Sequence, residues 1–155
     1  ASVGDADYIK EILDECGDVG FWKIAIKPGK PLAFGKIDQC YFFGLPGNPV
    51  SVITTFQKIV SPALQQLSGI PAKKPLSFKA ICTNSLKKQP GRQEYQRGIL
   101  SQTETGDFMV MSAGKQGSNI MSAMSKANCY IVLTADCTGI AEGEWVKVEP
   151  FDTLL

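Results

Sequence analysis

Between residues 39 and 56, the β-prone run Gln39-Cys40-Tyr41-Phe42-Phe43 passes through Gly44-Leu45-Pro46-Gly47-Asn48-Pro49 into the apolar Val50-Ser51-Val52-Ile53-Thr54-Thr55-Phe56. Proline lacks an N–H and has a fixed φ, and glycine weakens both helix and strand, so neither element continues through these six residues. The chain must leave a strand, turn tightly and open a helix, with Pro49 suited to the first helical turn. That arrangement brings free backbone amides and the positive end of a helix dipole towards one point, where an oxyanion can bind. The Lys-Ser/Thr ending of a P-loop is absent, and a purely structural tight turn is the competing reading.

Just upstream, Lys27-Pro28-Gly29-Lys30-Pro31 is a lysine-bearing turn. It follows an expected strand over residues 21–26, with Trp22, Ile24 and Ile26 on one face and Lys23 and Ala25 on the other. Lys23, Lys27 and Lys30 are either oxyanion ligands for phosphoryl or nucleotidyl chemistry or solubilising surface lysines, and Lys36 reads as surface. Asp5 and Asp7 precede an expected helix over residues 7–16. They fit either a Mg²⁺ site with retained waters or a helix cap beside a solvated carboxylate. Charge follows the same order: residues 1–19 are mainly acidic and residues 20–50 mainly basic, although the whole chain carries only +1. So small a net charge argues against a general nucleic-acid binder or a polybasic membrane anchor.

There is no histidine, which removes the usual general base, the Ser/His and Cys/His nucleophile pairs and nearly all zinc chemistry. Cys16, Cys40, Cys82, Cys129 and Cys137 are odd in number and lack metal-type spacing, so they read as reduced core residues of a cytoplasmic protein. No apolar window approaches a membrane span, and no signal peptide opens the chain. Ala1-Ser2-Val3-Gly4 reads as the interior of a longer protein.

A helix is expected over residues 49–67, with Val52, Ile53, Phe56, Ile59, Val60, Ala63, Leu64 and Leu67 as its apolar positions and a bend at Pro62. Ile70-Pro71-Ala72-Lys73-Lys74-Pro75 is a stiff linker marking a domain boundary. Beyond it the texture becomes β-type, with strands expected over residues 77–83, 94–102, 108–112, 129–134 and 145–151 and one short helix within 119–128. This half reads as a small barrel or sandwich. Arg92 and Arg97 could meet an anionic partner or satisfy Glu94 and loop carbonyls, and the loop 114–119 could present amides to an anion.

Several motifs together resemble the C-terminal part of the molybdopterin molybdenumtransferases, bacterial relatives of the gephyrin E domain. They are Ser2-Val3-Gly4-Asp5-Ala6-Asp7-Tyr8, the stretch Phe21-Trp22-Lys23-Ile24-Ala25-Ile26-Lys27-Pro28-Gly29-Lys30-Pro31, Gly44-Leu45-Pro46-Gly47-Asn48-Pro49 with Val50-Ser51, Pro90-Gly91-Arg92, Gln96-Arg97-Gly98 and Gln116-Gly117-Ser118. The resemblance implies an α/β fold followed by a mainly β one. Residues 1–73 would be the second half of a three-layer α/β/α molybdopterin-binding domain, and residues 74–155 a small C-terminal β-barrel domain. It also implies a Mg²⁺-dependent transferase that takes adenylylated molybdopterin and molybdate, releases AMP and acts as a homodimer.

On the matching positions, Asp7, Lys23 and Lys27 are implied as catalytic, with Asp7 and Asp5 as metal ligands. Lys30, Pro46, Gly47, Asn48, Ser51 and Ser118 are implied as substrate-binding. A passive pterin carrier and a scaffold or interaction module are the alternatives. The family's preceding domains are not in this sequence, so the isolated chain is not expected to catalyse the reaction efficiently.

Overall fold

The computed structural model describes residues 15, 17–71, 73–117 and 120–151. The expected helix over residues 7–16 therefore lies almost wholly outside the described residues. Two compact units emerge: residues 1–24 with 28–72, and residues 25–27 with 73–155.

In the first unit, β1 (Asp18–Lys23), β3 (Pro31–Ile37) and β4 (Cys40–Gly44) form an antiparallel sheet in the order β1-β3-β4. A two-residue turn joins β3 to β4, and Asp38 takes φ 52° there, a left-handed conformation that aspartate tolerates. Gly44 faces Ala33 across the ladder, and a Cβ at Gly44 would come within 2.9 Å of the Ala33 Cβ, so this glycine answers a packing demand.

The helix follows as α1 (Pro49–Thr55), a π-helical turn Phe56–Val60, and α2 (Ser61–Leu67). Pro62 cannot donate to the carbonyl four residues back and its ring crowds it, and the turn before it widens, with the Ser61 N–H donating to the Phe56 carbonyl. The expected bend at Pro62 thus takes the form of a π insertion. Its consequence is a corrected apolar face. The buried positions are Val50, Ser51, Thr54 and Thr55, then Val60 five residues on, whereas Phe56, Leu64 and Leu67 are exposed. Beyond the widened turn a strict 3.6-residue period misplaces Leu64 and Leu67.

The second unit contains β2 (Ile26–Lys27), β5 (Phe78–Cys82), β6 (Leu86–Lys87), β7 (Gln93–Gln102), β8 (Phe108–Ser112), α3 (Met121–Lys126), β9 (Cys129–Leu133), β10 (Gly139–Ile140) and β11 (Trp145–Pro150). Strands β7-β8-β5-β11-β9 close on themselves through the β7–β9 pairing, forming a five-stranded barrel. Closure removes the free edges that an open sheet of this size would expose. Alternate residues fill the interior: Ala80 and Cys82, Val110, Cys129, Ile131 and Leu133, Val146 and Val148. The five barrel strands lie within a residue of those expected from the sequence, whereas the two-residue strands β6 and β10 have no counterpart there, and an α/β part followed by a β barrel is what the fold shows.

Two sequence expectations need correction. The single strand over residues 21–26 is two strands: β1 begins earlier, at Asp18, and stops at Lys23, while β2 pairs in parallel with β7 of the barrel. Cys40 is exposed, whereas Cys82 and Cys129 are buried; burial pushes the Cys129 thiol up to about 12.

Gly98 faces the barrel interior, where an added Cβ would lie 2.8 Å from both Cys129 Sγ and Ile131 Cγ1. Gly98→Ala is expected to lower stability by about 1–3 kcal/mol through overpacking, measured by urea denaturation. An unchanged midpoint would contradict this packing.

Candidate functional site

The loop after β4 positions its residues through one cap. Asn48 sits outside the helix in an extended conformation, its Oδ1 accepts from the Val50 N–H at 3.2 Å, and its carbonyl accepts from the Val52 N–H at 2.9 Å. Pro49 has no N–H to offer. Two of the otherwise unpaired positions at the helix start, Pro49 and Val50, are thereby closed to a ligand, so the helix opening presents fewer amides than the motif suggests. Pro46 and Ser51 are buried and Gly47 is exposed. A Cβ at Gly47 would meet nothing within 4 Å, and its φ is not positive. Neither backbone conformation nor packing demands glycine there.

The lysines divide between the units. Lys23 ends β1 opposite Pro31, and Lys30 closes its loop by accepting the Ile24 N–H at its carbonyl, 2.9 Å away; both side chains are exposed. Gly29, at φ 109°, supplies the turn between them. Lys27 belongs to the barrel unit. On β2 it stands directly opposite Glu94 of β7, and its Nζ donates to Glu94 Oε1 at 3.0 Å. The lysine side chain is 45% exposed and the glutamate 5%. Asp5, Asp7 and Ser118 lie outside the described residues. Among the described residues no cluster of three His, Cys, Asp or Glu side chains could hold a metal ion.

Around Lys27 the barrel carries an unusual amount of buried polarity. Glu94 Oε2 accepts from Gln96 Nε2 at 3.0 Å, and the same amide nitrogen donates to the Lys87 carbonyl at 3.0 Å. Arg97 is buried. Its guanidinium donates to the Gly117 carbonyl at 3.0 Å, its Nε has no partner among the described residues, and desolvation holds its pKa below the ordinary arginine value against the opposing pull of Tyr130 and Glu94. Gln116 returns the contact: its Oε1 accepts from the Arg97 N–H at 2.8 Å, and its Nε2 donates to the Arg97 carbonyl at 3.0 Å.

Gln116 therefore acts as a short piece of strand on the edge of β7 between β2 and β8. Arg97 holds the loop carbonyls and so follows the structural one of the two readings, whereas Arg92 is exposed. Glu94, offered by the sequence only as one alternative partner for the arginines, pairs with Lys27 instead; Glu94 and Gln96, two polar residues at alternate positions of a barrel strand, are the signal in the sequence. A cavity of about 340 Å³ in the first unit, lined by Ile24, Leu32, Phe34, Phe43, Ile59 and Ala63, is wholly apolar and offers an anion nothing.

Residues 1–66 match the family described as "Probable molybdopterin binding domain", and residues 79–151 match "MoeA C-terminal region (domain IV)". The chain is 50% identical to the molybdopterin molybdenumtransferase of Haemophilus influenzae over 155 residues, covering 99% of this chain and 38% of that protein. The chain belongs to the molybdopterin molybdenumtransferase family. A relative of the same name from Staphylococcus aureus (strain COL) is 32% identical over 95% of the chain and 35% of its own length. The molybdopterin biosynthesis moeA protein of Pyrococcus horikoshii shares the fold at TM-score 0.73 with 28% identity, across 95% of this chain and 35% of that one. A molybdenum cofactor biosynthesis protein from Pyrococcus furiosus gives TM-score 0.70 at 27% identity, across 95% and 55%.

The chain thus spans little more than a third of the curated molybdenumtransferases it matches. Among its described residues no helix is long and apolar enough to cross a membrane.

The cap gives a direct test within this family's Gly-Leu-Pro-Gly-Asn-Pro motif. Asn48→Ala is expected to cost about 1 kcal/mol in chemical denaturation, and Asn48→Asp to recover most of it. Equal stability of all three proteins would contradict the capping geometry.

Proposed function

We propose that this chain is the part of a molybdopterin molybdenumtransferase that handles anionic groups while molybdenum passes from molybdate to adenylylated molybdopterin and AMP is released. The identity to the Haemophilus protein along essentially the whole chain carries this reading. The chemistry of the residues supports it. A pterin phosphate, an adenylyl phosphate and molybdate are all oxyanions, and a chain without histidine has lysines, amides and hydroxyls to bind them. Lys27 suits the role because its ammonium is held on one side by Glu94 while the side chain stays half exposed.

Lys23 and Lys30 add exposed positive charge, and Ser51 and Ser118 are the proposed hydroxyl contributors. Pro46 and Asn48 shape the loop. Gly47, which neither packing nor backbone requires, leaves room for a ligand to approach the main chain. Asp5 and Asp7 are the proposed Mg²⁺ ligands and Asp7 a catalytic residue, in a homodimeric cytoplasmic enzyme.

In the protein at its native length, Lys27→Ala is expected to reduce molybdate-dependent AMP release at least about 100-fold without loss of folding, read by steady-state assay alongside circular dichroism. Wild-type turnover would refute the assignment. Gly47→Ala is expected to leave stability within about 0.5 kcal/mol, because its Cβ enters open space, yet to weaken substrate binding. Unchanged KM would show that the space before the helix is not used.

A further inference from the structure

Glu94 is costly to bury, and an apolar pair would pin a two-residue strand to β7 at least as well, so stability alone does not explain it. Its two oxygens are both committed, Oε1 to Lys27 and Oε2 to Gln96. Gln96 is fixed in turn, since it also donates to the Lys87 carbonyl and is itself buried. The carboxylate is thus held from behind by an amide that cannot rotate without losing a hydrogen bond. In front of it stands an ammonium with three hydrogens, one of them directed to Oε1 at 3.0 Å; the other two have no protein partner among the described residues. A lysine side chain left free samples many rotamers, and holding one costs entropy that a rigid partner removes in advance.

We propose that Glu94 is a positioning residue for Lys27: anchored by Gln96, it fixes the ammonium on β2 with its remaining donors turned to a substrate oxyanion of the phosphate or molybdate class. This rests on the reading of Lys27 given under Proposed function. Glu94 touches no substrate and acts through the lysine. Its charge works against ground-state attraction of an anion, whereas its placement serves the reacting geometry, so the two contributions separate in kinetics.

The test compares Glu94→Gln, Glu94→Asp, Lys27→Ala and the Lys27→Ala/Glu94→Gln double variant in the protein at its native length, reading kcat and KM for molybdate-dependent AMP release together with thermal unfolding. Glu94→Gln is expected to lower kcat about tenfold or more while KM stays the same or falls, and to cost nothing further on a Lys27→Ala background. Glu94→Asp keeps the charge and draws the ammonium back by about one bond length, so it also lowers kcat; it serves if the glutamine variant unfolds. Unchanged kcat in both Glu94 variants, or a loss in Glu94→Gln that persists undiminished without Lys27, overturns the positioning role while leaving the function of Lys27 intact. Full activity of Lys27→Ala instead removes the reading on which the role depends.

Discussion

Strand β7 has to satisfy two edges along ten residues, and the arrangement of the barrel unit follows from how it does so. Glu94 faces Leu133 of β9 on one edge and Lys27 of β2 on the other; Gly98 faces Cys129 of β9 and Ser112 of β8 in the same way. β9 therefore covers one edge of the first half, while the other edge is shared by β2 at its start and β8 from Gly98 onward. Between them the Arg97 peptide would be left without a strand partner, and a buried peptide group cannot go unpaired cheaply. The Gln116 side-chain amide and the Ala113 N–H fill that gap.

This edge explains why the polar residues of the family motifs cluster where they do. Gln116 completes a ladder, Arg97 reaches back to hold the loop that carries Gln116, and Gly98 lets the Cys129 and Ile131 side chains approach the strand. Gln96 holds the Glu94 carboxylate, and Glu94 holds Lys27. A lysine that precedes the linker by more than forty residues is carried by the barrel through a two-residue strand. The charge on the barrel surface at that point is fixed by backbone pairing, a stiffer scaffold than a mobile loop.

Most of the barrel was legible in the sequence because its strands alternate and are bounded by turn residues, as in Cys129-Tyr130-Ile131-Val132-Leu133. The start of the helix was legible in Asn48-Pro49, since the cap and the first-turn proline act locally. Three features were not. The π turn follows from how the helix relieves Pro62, which a fixed period cannot express. The split of the expected strand over residues 21–26 depends on whether Ala25–Lys27 find a distant edge, and no local propensity encodes the register Lys27 to Glu94. The exposure of Cys40 reflects its place at the start of β4 beside a tight turn, where an apolar run does not ensure burial. Of the candidate site, the residue types were readable, but the way Asn48 closes its own helix start and the way Lys27 is held were tertiary outcomes.

The holding of Lys27 depends on β2 being a true strand of the barrel sheet, with the Gln93 N–H donating to the Ala25 carbonyl at 3.0 Å. Hydrogen exchange of the Gln93 amide measures this directly. Protection comparable to the barrel amide of Ala113, which donates to the Arg97 carbonyl, is the predicted result. Exchange of Gln93 at the rate of an open turn while Ala113 stays protected would contradict the placement of β2, and with it the holding of Lys27 by Glu94.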